Sequence, residues 1–140
     1  MEPGAQKLLN ASHALMQSLF PAESNHYYSA EKLRSPNVDF FVAELGTTVV
    51  GCCALARFDG YGEIKSMFVD PGFRGRGVGR ALINHIETHA SGCGYGLLRL
   101  ETGYLLETAH KLYASKGFEL TGPFGDYPDD PNSVFMEKAL

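Results

Sequence analysis

The twelve residues from Val69 to Arg80, Val-Asp-Pro-Gly-Phe-Arg-Gly-Arg-Gly-Val-Gly-Arg, constrain this chain more than any other stretch. They follow a strand-like run, Tyr61 to Val69, and lead into a strong helical pattern, Gly77 to Ser91, with Leu82, Ile83, Ile86 and Ala90 on one side. Glycines at 75, 77 and 79 leave backbone N–H groups unobstructed, and the helix that follows directs the positive end of its dipole at the same place. Arg74, Arg76 and Arg80 add guanidinium groups, whose bonds to phosphate contribute about 1.5–3 kcal/mol each when well aligned and less when exposed. The turn suits an anion, and a pyrophosphate fits it best. It is not a P-loop, since Val78 and Gly79 follow Gly77 where Lys and Ser or Thr are required. It is not a dinucleotide fingerprint either, since Arg80 stands where the third glycine belongs.

Around this turn the sequence predicts an ordered succession of elements. A helix from about Lys7 to Phe20 carries Leu8, Leu15 and Leu19 at three- and four-residue spacing and stops before Pro21. Pro21 to Pro36 reads as a connector with a short helix at Ala30 to Arg34. Val38 to Glu44 and Thr48 to Phe58 form a hairpin about Gly46-Thr47, and Tyr61 to Val69 adds a third strand with one polar face. After the Gly77 to Ser91 helix come a buried strand at Leu97 to Glu101 and a helix at Glu107 to Lys116 closed by Gly117. Phe118 to Thr121 and Ser133 to Lys138 are the last strands, separated by the loop Gly122 to Asn132. The order predicts an α/β (α+β) fold with a twisted, mainly antiparallel mixed sheet and flanking helices.

With 140 residues, 44% of them hydrophobic, the chain is expected to form a single domain, 1–140. Sixteen acidic against twelve basic residues disfavour nucleic acid as a partner. No apolar run is long enough to span a membrane, and Cys52, Cys53 and Cys93 form no CxxC pair, so a cytoplasmic protein with reduced thiols is expected.

The turn resembles the acetyl-CoA loop of the GNAT family of N-acetyltransferases, whose pattern Arg/Gln-x-x-Gly-x-Gly/Ala is met by Arg74, Gly77 and Gly79. The family's later Tyr-x-x-x-Gly-Phe signature is similar to Tyr113 to Phe118, so the resemblance runs from about Val38 to the C-terminus. Gly122 to Tyr127, Gly-Pro-Phe-Gly-Asp-Tyr, is similar to the ends of small bacterial acetyltransferases of unassigned substrate. The resemblance implies acetyl-CoA as co-substrate and no metal. It places the pantetheine arm on the backbone of Met67, Phe68 and Val69, and the pyrophosphate on Arg74, Gly75, Arg76, Gly77, Val78, Gly79 and Arg80. It also implies a V-shaped splay between two parallel strands, Tyr61 to Val69 and Leu97 to Glu101. The chain departs from the family twice: the usual first strand has no counterpart before the first helix, and Leu106 stands where Asn or Gln often lies near the cofactor, so Leu106 is not expected to hold it.

An amine near pKa 10.4 must lose a proton before it can attack, which costs about 4.6 kcal/mol at pH 7. Glu63 resembles the family's general-base glutamate; a carboxylate near pKa 4.3 serves only if burial raises it or water relays the proton. A plain Glu63–Lys65 surface pair is the alternative. Tyr113 resembles the tyrosine that protonates the departing thiolate, an uphill transfer of about 2 kcal/mol in water; the alternative is a packing aromatic.

The region 119–137 holds five acids and no Lys or Arg, and with Phe124 and Tyr127 it suggests an amine-attracting end formed by Asp126, Tyr127 and Asp129. Tyr27 and Tyr28 are the opposite wall of this expected acceptor site; a solvated turn-forming loop is the competing reading. His85 and His89 lack a third metal ligand, Cys52 and Cys53 lie in an apolar strand that suits core packing, and Cys93 sits in a Gly-rich turn with no adjacent base. The sequence thus predicts an N-acetyltransferase acting on a small-molecule or peptide amine by direct attack, as a monomer or homodimer. A non-catalytic acyl-CoA sensor and an O- or thio-acyltransferase are the rivals.

Overall fold

The computed structural model describes residues 3–140. Helix α1 spans Pro3–Leu19; strands β1 (Val38–Leu45), β2 (Thr48–Arg57) and β3 (Gly62–Val69) lead into α2 (Val78–Gly92). Then follow β4 (Leu97–Gly103), α3 (Glu107–Ser115), β5 (Glu119–Thr121) and β6 (Ser133–Ala139). Most boundaries fall within two residues of the expected ones. Helix α1 starts four residues earlier than its first apolar residues suggest, because Pro3 suits a first helical turn, where a missing N–H costs nothing. The expected helix at Ala30 to Arg34 is a single 3-10 turn, Lys32–Arg34, and similar turns lie at Ala22–Ser24 and Pro71–Phe73. Among the described residues no strand precedes α1.

The six strands form one sheet in the order β1-β2-β3-β4-β6-β5. Every neighbouring pair is antiparallel except β3 and β4, which run parallel. That pair is short: Gly62 faces Leu98, Glu63 faces Arg99 and Ile64 faces Leu100, and there the pairing ends. Beyond it β4 stays with β6 as far as Gly103–Ser133, while β3 stays with β2 as far as Val69–Gly51. The two central strands therefore diverge, and the splay implied by the resemblance is present. An irregularity sits at the same place: the β2–β3 register shifts between Cys52 and Ala54, and Ser66 opposite takes a left-handed φ of 55°.

Helices cover both faces of the sheet. On one side Leu82, Ile83 and Ile86 of α2 pack with Leu55, Ile64, Leu98 and Leu100. On the other, Leu8 and Leu9 of α1 pack with Leu33, Cys52, Ala54, Ala56 and Phe68. Strand β2 is buried on both faces from Val50 to Ala56, which accounts for its unbroken apolar sequence. Cys52 and Cys53 belong to this core; burial pushes the Cys52 thiol up to about 12 and raises Cys53 as well. Both are packing residues.

Candidate active site

The divergence of β3 and β4 opens a cleft of about 550 Å³. Its walls are Met67, Phe68 and Val69 of β3, the turn from Phe73 to Arg80 except Arg76, Leu105 and Leu106 ahead of α3 with Glu107 to Ala109 and Leu112 within it, and Ser12, Leu15 and Met16 of α1. From Lys65 onward β3 has no strand partner on its β4 side among the described residues, so its edge is available to a ligand that pairs like a strand.

The turn is built by local bonds. Asp70 accepts from the Gly72 N–H at 2.9 Å through its side chain and from the Phe73 N–H at 2.8 Å through its carbonyl. Gly75 and Gly77 both take left-handed φ, 77° and 80°, which a β-carbon would strain. Gly79 lets α3 approach, since a Cβ there would lie 2.7 Å from Leu112 Cδ2. The first bond within α2 runs from the Ala81 N–H to the Gly77 carbonyl, so the amides of Val78, Gly79 and Arg80 stand at an open helix start. Arg74 and Arg80 line the cleft, with Arg74 Nε on the Val69 carbonyl at 3.3 Å and Arg80 Nη2 on Ser115 Oγ at 3.1 Å. Arg76 lies outside the cleft wall, its guanidinium over the Phe73 ring.

On the α1 face of the sheet, just before the point of divergence, lies a buried polar cluster. Glu63 is 3% exposed and Lys65 7%, so they are not a surface pair. The Lys65 ammonium donates to the His26 carbonyl and the Tyr127 hydroxyl, both at 2.8 Å, lies 3.5 Å from Glu63 Oε2, and sits over the Tyr28 ring at 4.6 Å. The Tyr127 hydroxyl in turn donates to Glu63 Oε2. Desolvation raises the Glu63 pKa above its ordinary value, and the Lys65 charge and the Tyr127 bond only partly offset that. Burial raises Tyr127 too, and the Glu63 charge adds to the effect.

The loop Gly122 to Asn132 folds down over this cluster. Phe124 packs on Tyr61, Tyr127 and Phe135, and the loop is tied to the connector after α1 by Ser24 Oγ donating to Asp130 Oδ2 at 2.5 Å. Glu101 was not anticipated as a site residue. It lies on β4 just past its last pairing with β3, accepts from Ser133 Oγ at 2.8 Å, and has its pKa raised by desolvation. Its place follows from three-strand register, which no local pattern reports.

Of the residues expected to meet the acceptor, Tyr28 and Tyr127 reach the Glu63 cluster. Tyr27 instead stacks on His13 at 4.0 Å and accepts from Gln17, while Asp126 and Asp129 are exposed. Asp126 and Asp129 are left in solvent because the loop's aromatic residues, not these charges, face the sheet. Tyr113 is 5% exposed, packs against Phe118 in the α2-side core, and is not among the residues lining the cleft; burial raises its pKa. It nonetheless follows Leu112 directly and Ala109 by one helical turn, and both of those line the cleft. Leu106, not expected to hold the cofactor, forms part of the cleft wall, as do the α1 residues Ser12, Leu15 and Met16, which the sequence did not point to. Among the described residues no group of three or more His, Cys, Asp or Glu could hold a metal ion; His89 Nε2 faces Asp39 at 2.9 Å and Cys93 Sγ at 3.8 Å, so Cys93, expected to lack an adjacent base, has one a helical turn away.

A forked sheet, a glycine-arginine turn at a helix start and a buried carboxylate beside the fork define an acyl-transfer architecture. The Acetyltransferase (GNAT) family profile matches residues 6–118, and the chain belongs to that family. The IAA acetyltransferase of Azospirillum brasilense is 43% identical over 142 residues, covering 100% of this chain and 93% of that protein. A solved structure from Klebsiella pneumoniae subsp. pneumoniae MGH 78578 superposes with a TM-score of 0.83 at 30% identity, covering 100% of this chain and 92% of the other. The PaiA N-acetyltransferase of Thermoplasma acidophilum, solved in complex with coenzyme A, shares the fold at a TM-score of 0.76 and 19% identity, over 97% of this chain and 90% of that one. Among the described residues no helix is long and apolar enough to cross a membrane.

Proposed function

We propose that this chain transfers the acetyl group of acetyl-CoA to a primary amine by direct attack within a ternary complex. The observation that carries the reading is the fork itself: an unpaired β3 edge runs from a buried carboxylate at one end to an anion-receptive helix start at the other. The pantetheine arm pairs with the backbone of Met67 to Val69, and the pyrophosphate lies on the Gly75 to Arg80 amides with Arg74 and Arg80. Amides of the β3 edge stabilise the oxyanion that develops as the amine attacks.

Glu63 receives the amine proton; its desolvation makes it a stronger base than an exposed carboxylate. Tyr113, directly after the cleft-lining Leu112, returns a proton to the departing thiolate; burial makes the phenol a weaker acid, and an apolar wall makes the thiolate a stronger base in compensation. The acceptor approaches from the α1 face, bounded by Tyr28 and Tyr127. The acetyltransferase name of the Azospirillum relative and the coenzyme A complex of the shared fold support the co-substrate.

The deciding experiment has two arms. Coenzyme A affinity should fall in an Arg74→Ala, Arg80→Ala double variant, and acetyl-CoA should release free thiol with some member of a panel of primary amines. Unchanged affinity would sink the pyrophosphate assignment; thiol release with no amine would leave the sensor reading standing.

A further inference from the structure

We infer that Tyr127 is a catalytic residue, the group that takes the proton from the acceptor amine and hands it to Glu63. The inference rests on the reading of Glu63 as the final base. Glu63 and Lys65 are 3% and 7% exposed and lie beneath the loop Gly122 to Asn132, so an incoming amine does not meet the carboxylate directly. Tyr127 is the half-buried member of the trio and lies over both.

A phenolic oxygen offers one O–H and two lone pairs. Here the O–H goes to Glu63 Oε2 and one lone pair accepts from Lys65 Nζ. Among the described residues nothing takes the second lone pair. The Lys65 ammonium, fixed by the His26 carbonyl, can only donate. It therefore forces the Tyr127 oxygen to act as its acceptor and turns the O–H toward the carboxylate. The hydroxyl is polarised in one direction, from the unused lone pair to Glu63.

The step balances without any further reactant. An ammonium N–H proton moves to the Tyr127 oxygen as the Tyr127 O–H proton moves to Glu63. Glu63 becomes a neutral carboxylic acid, Tyr127 is a phenol again, and the nitrogen keeps the electron pair with which it attacks the thioester carbonyl. The neutral acid is the form that a desolvated site favours. Lys65 is a positioning residue in this scheme.

Tyr127→Phe removes the hydroxyl and keeps the ring that packs on Phe124 at 5.2 Å and Phe135 at 5.5 Å. With acetyl-CoA and an alkylamine that the unaltered enzyme acetylates, chosen from free amino acids, diamines and amino sugars, the variant should lose about 100-fold in kcat near pH 7. Its affinity for coenzyme A should stay within about twofold, which also checks the fold. Without the relay the variant must use amine already neutral in solution, so its kcat/KM should climb about tenfold per pH unit toward the amine's own pKa. The unaltered enzyme should be flat over the same range. A loss that keeps the parent's pH shape, or no loss, overturns the relay. Glu63→Gln separates the two ideas: inert Glu63→Gln with an active Tyr127→Phe removes the relay alone. A fully active Glu63→Gln, or an amine panel without any turnover, removes both.

Discussion

The two ends of the fork are built in opposite ways. The cofactor turn is one contiguous segment, Val69 to Arg80, mostly exposed, and shaped by bonds between residues two to five positions apart, with longer ties from Asp70 to Val50 and from Arg80 to Ser115. The acceptor cluster is buried and drawn from distant segments: Lys65 bonds to a carbonyl 39 residues away and to a hydroxyl 62 residues away. An exposed array of charges works through many weak, screened contributions, so losing one is tolerated. In a buried network each member is committed, and removing one leaves the others unsatisfied. The cofactor end should therefore respond to change gradually and the acceptor end abruptly.

The largest test of that contrast is Glu63→Gln. It should lower kcat about 100- to 10,000-fold, the range for a general base, while calorimetric affinity for coenzyme A stays unchanged. An equal fall in both would show that the two ends are one coupled unit. The pH profile comes next. Glu63 must be ionised to accept a proton, and its pKa is raised from the ordinary 4.5 by desolvation. Activity should thus be lost as pH falls through that elevated pKa, and the acid limb of kcat/KM should lie above the position of an exposed carboxylate. A limb at or below the ordinary value would mean that the carboxylate is solvated in the working enzyme.

Smaller effects are expected at the turn. Arg74→Ala and Arg80→Ala should each weaken coenzyme A by roughly 3- to 10-fold, near the low end for charge-assisted bonds because both side chains are exposed. Arg76→Ala, outside the cleft wall, should change affinity less than either. If Arg76→Ala proves the most damaging, the turn closes on its ligand by a rearrangement that brings residue 76 inward.

The same contrast explains what the sequence made legible. The turn, α2, the hairpin of β1 and β2, and the mixed topology follow from spacing and from the placing of glycine and proline, which are local signals. Glu63 was legible through its resemblance to a family glutamate, but its burial was not. That burial depends on Tyr127 and Phe124 arriving from a loop rich in Asp, Pro and Gly, whose composition reads as solvated. The acids there suggested a cationic acceptor site; the structure turns Asp126 and Asp129 outward and ties Asp130 to Ser24. Glu101 and the α1 residues Ser12, Leu15 and Met16 reach the fork only through strand register and helix docking. Neither leaves a mark at any fixed spacing.

Salt gives the finest distinction between the two ends. The screening length falls from about 10 Å at 0.1 M to about 3 Å at 1 M, so contacts from exposed arginines to a polyanion weaken while a pair buried beneath a loop is little affected. Raising sodium chloride from 0.05 to 0.5 M should increase the dissociation constant for coenzyme A severalfold. The midpoint of the acid limb of kcat/KM should move by no more than a few tenths of a pH unit, because Lys65 and Glu63 are 6% and 4% exposed at their side chains. A salt-sensitive limb would mean that the loop Gly122 to Asn132 opens far enough during turnover to let solvent ions reach the pair. The buried end would then behave like the exposed one for part of each catalytic cycle.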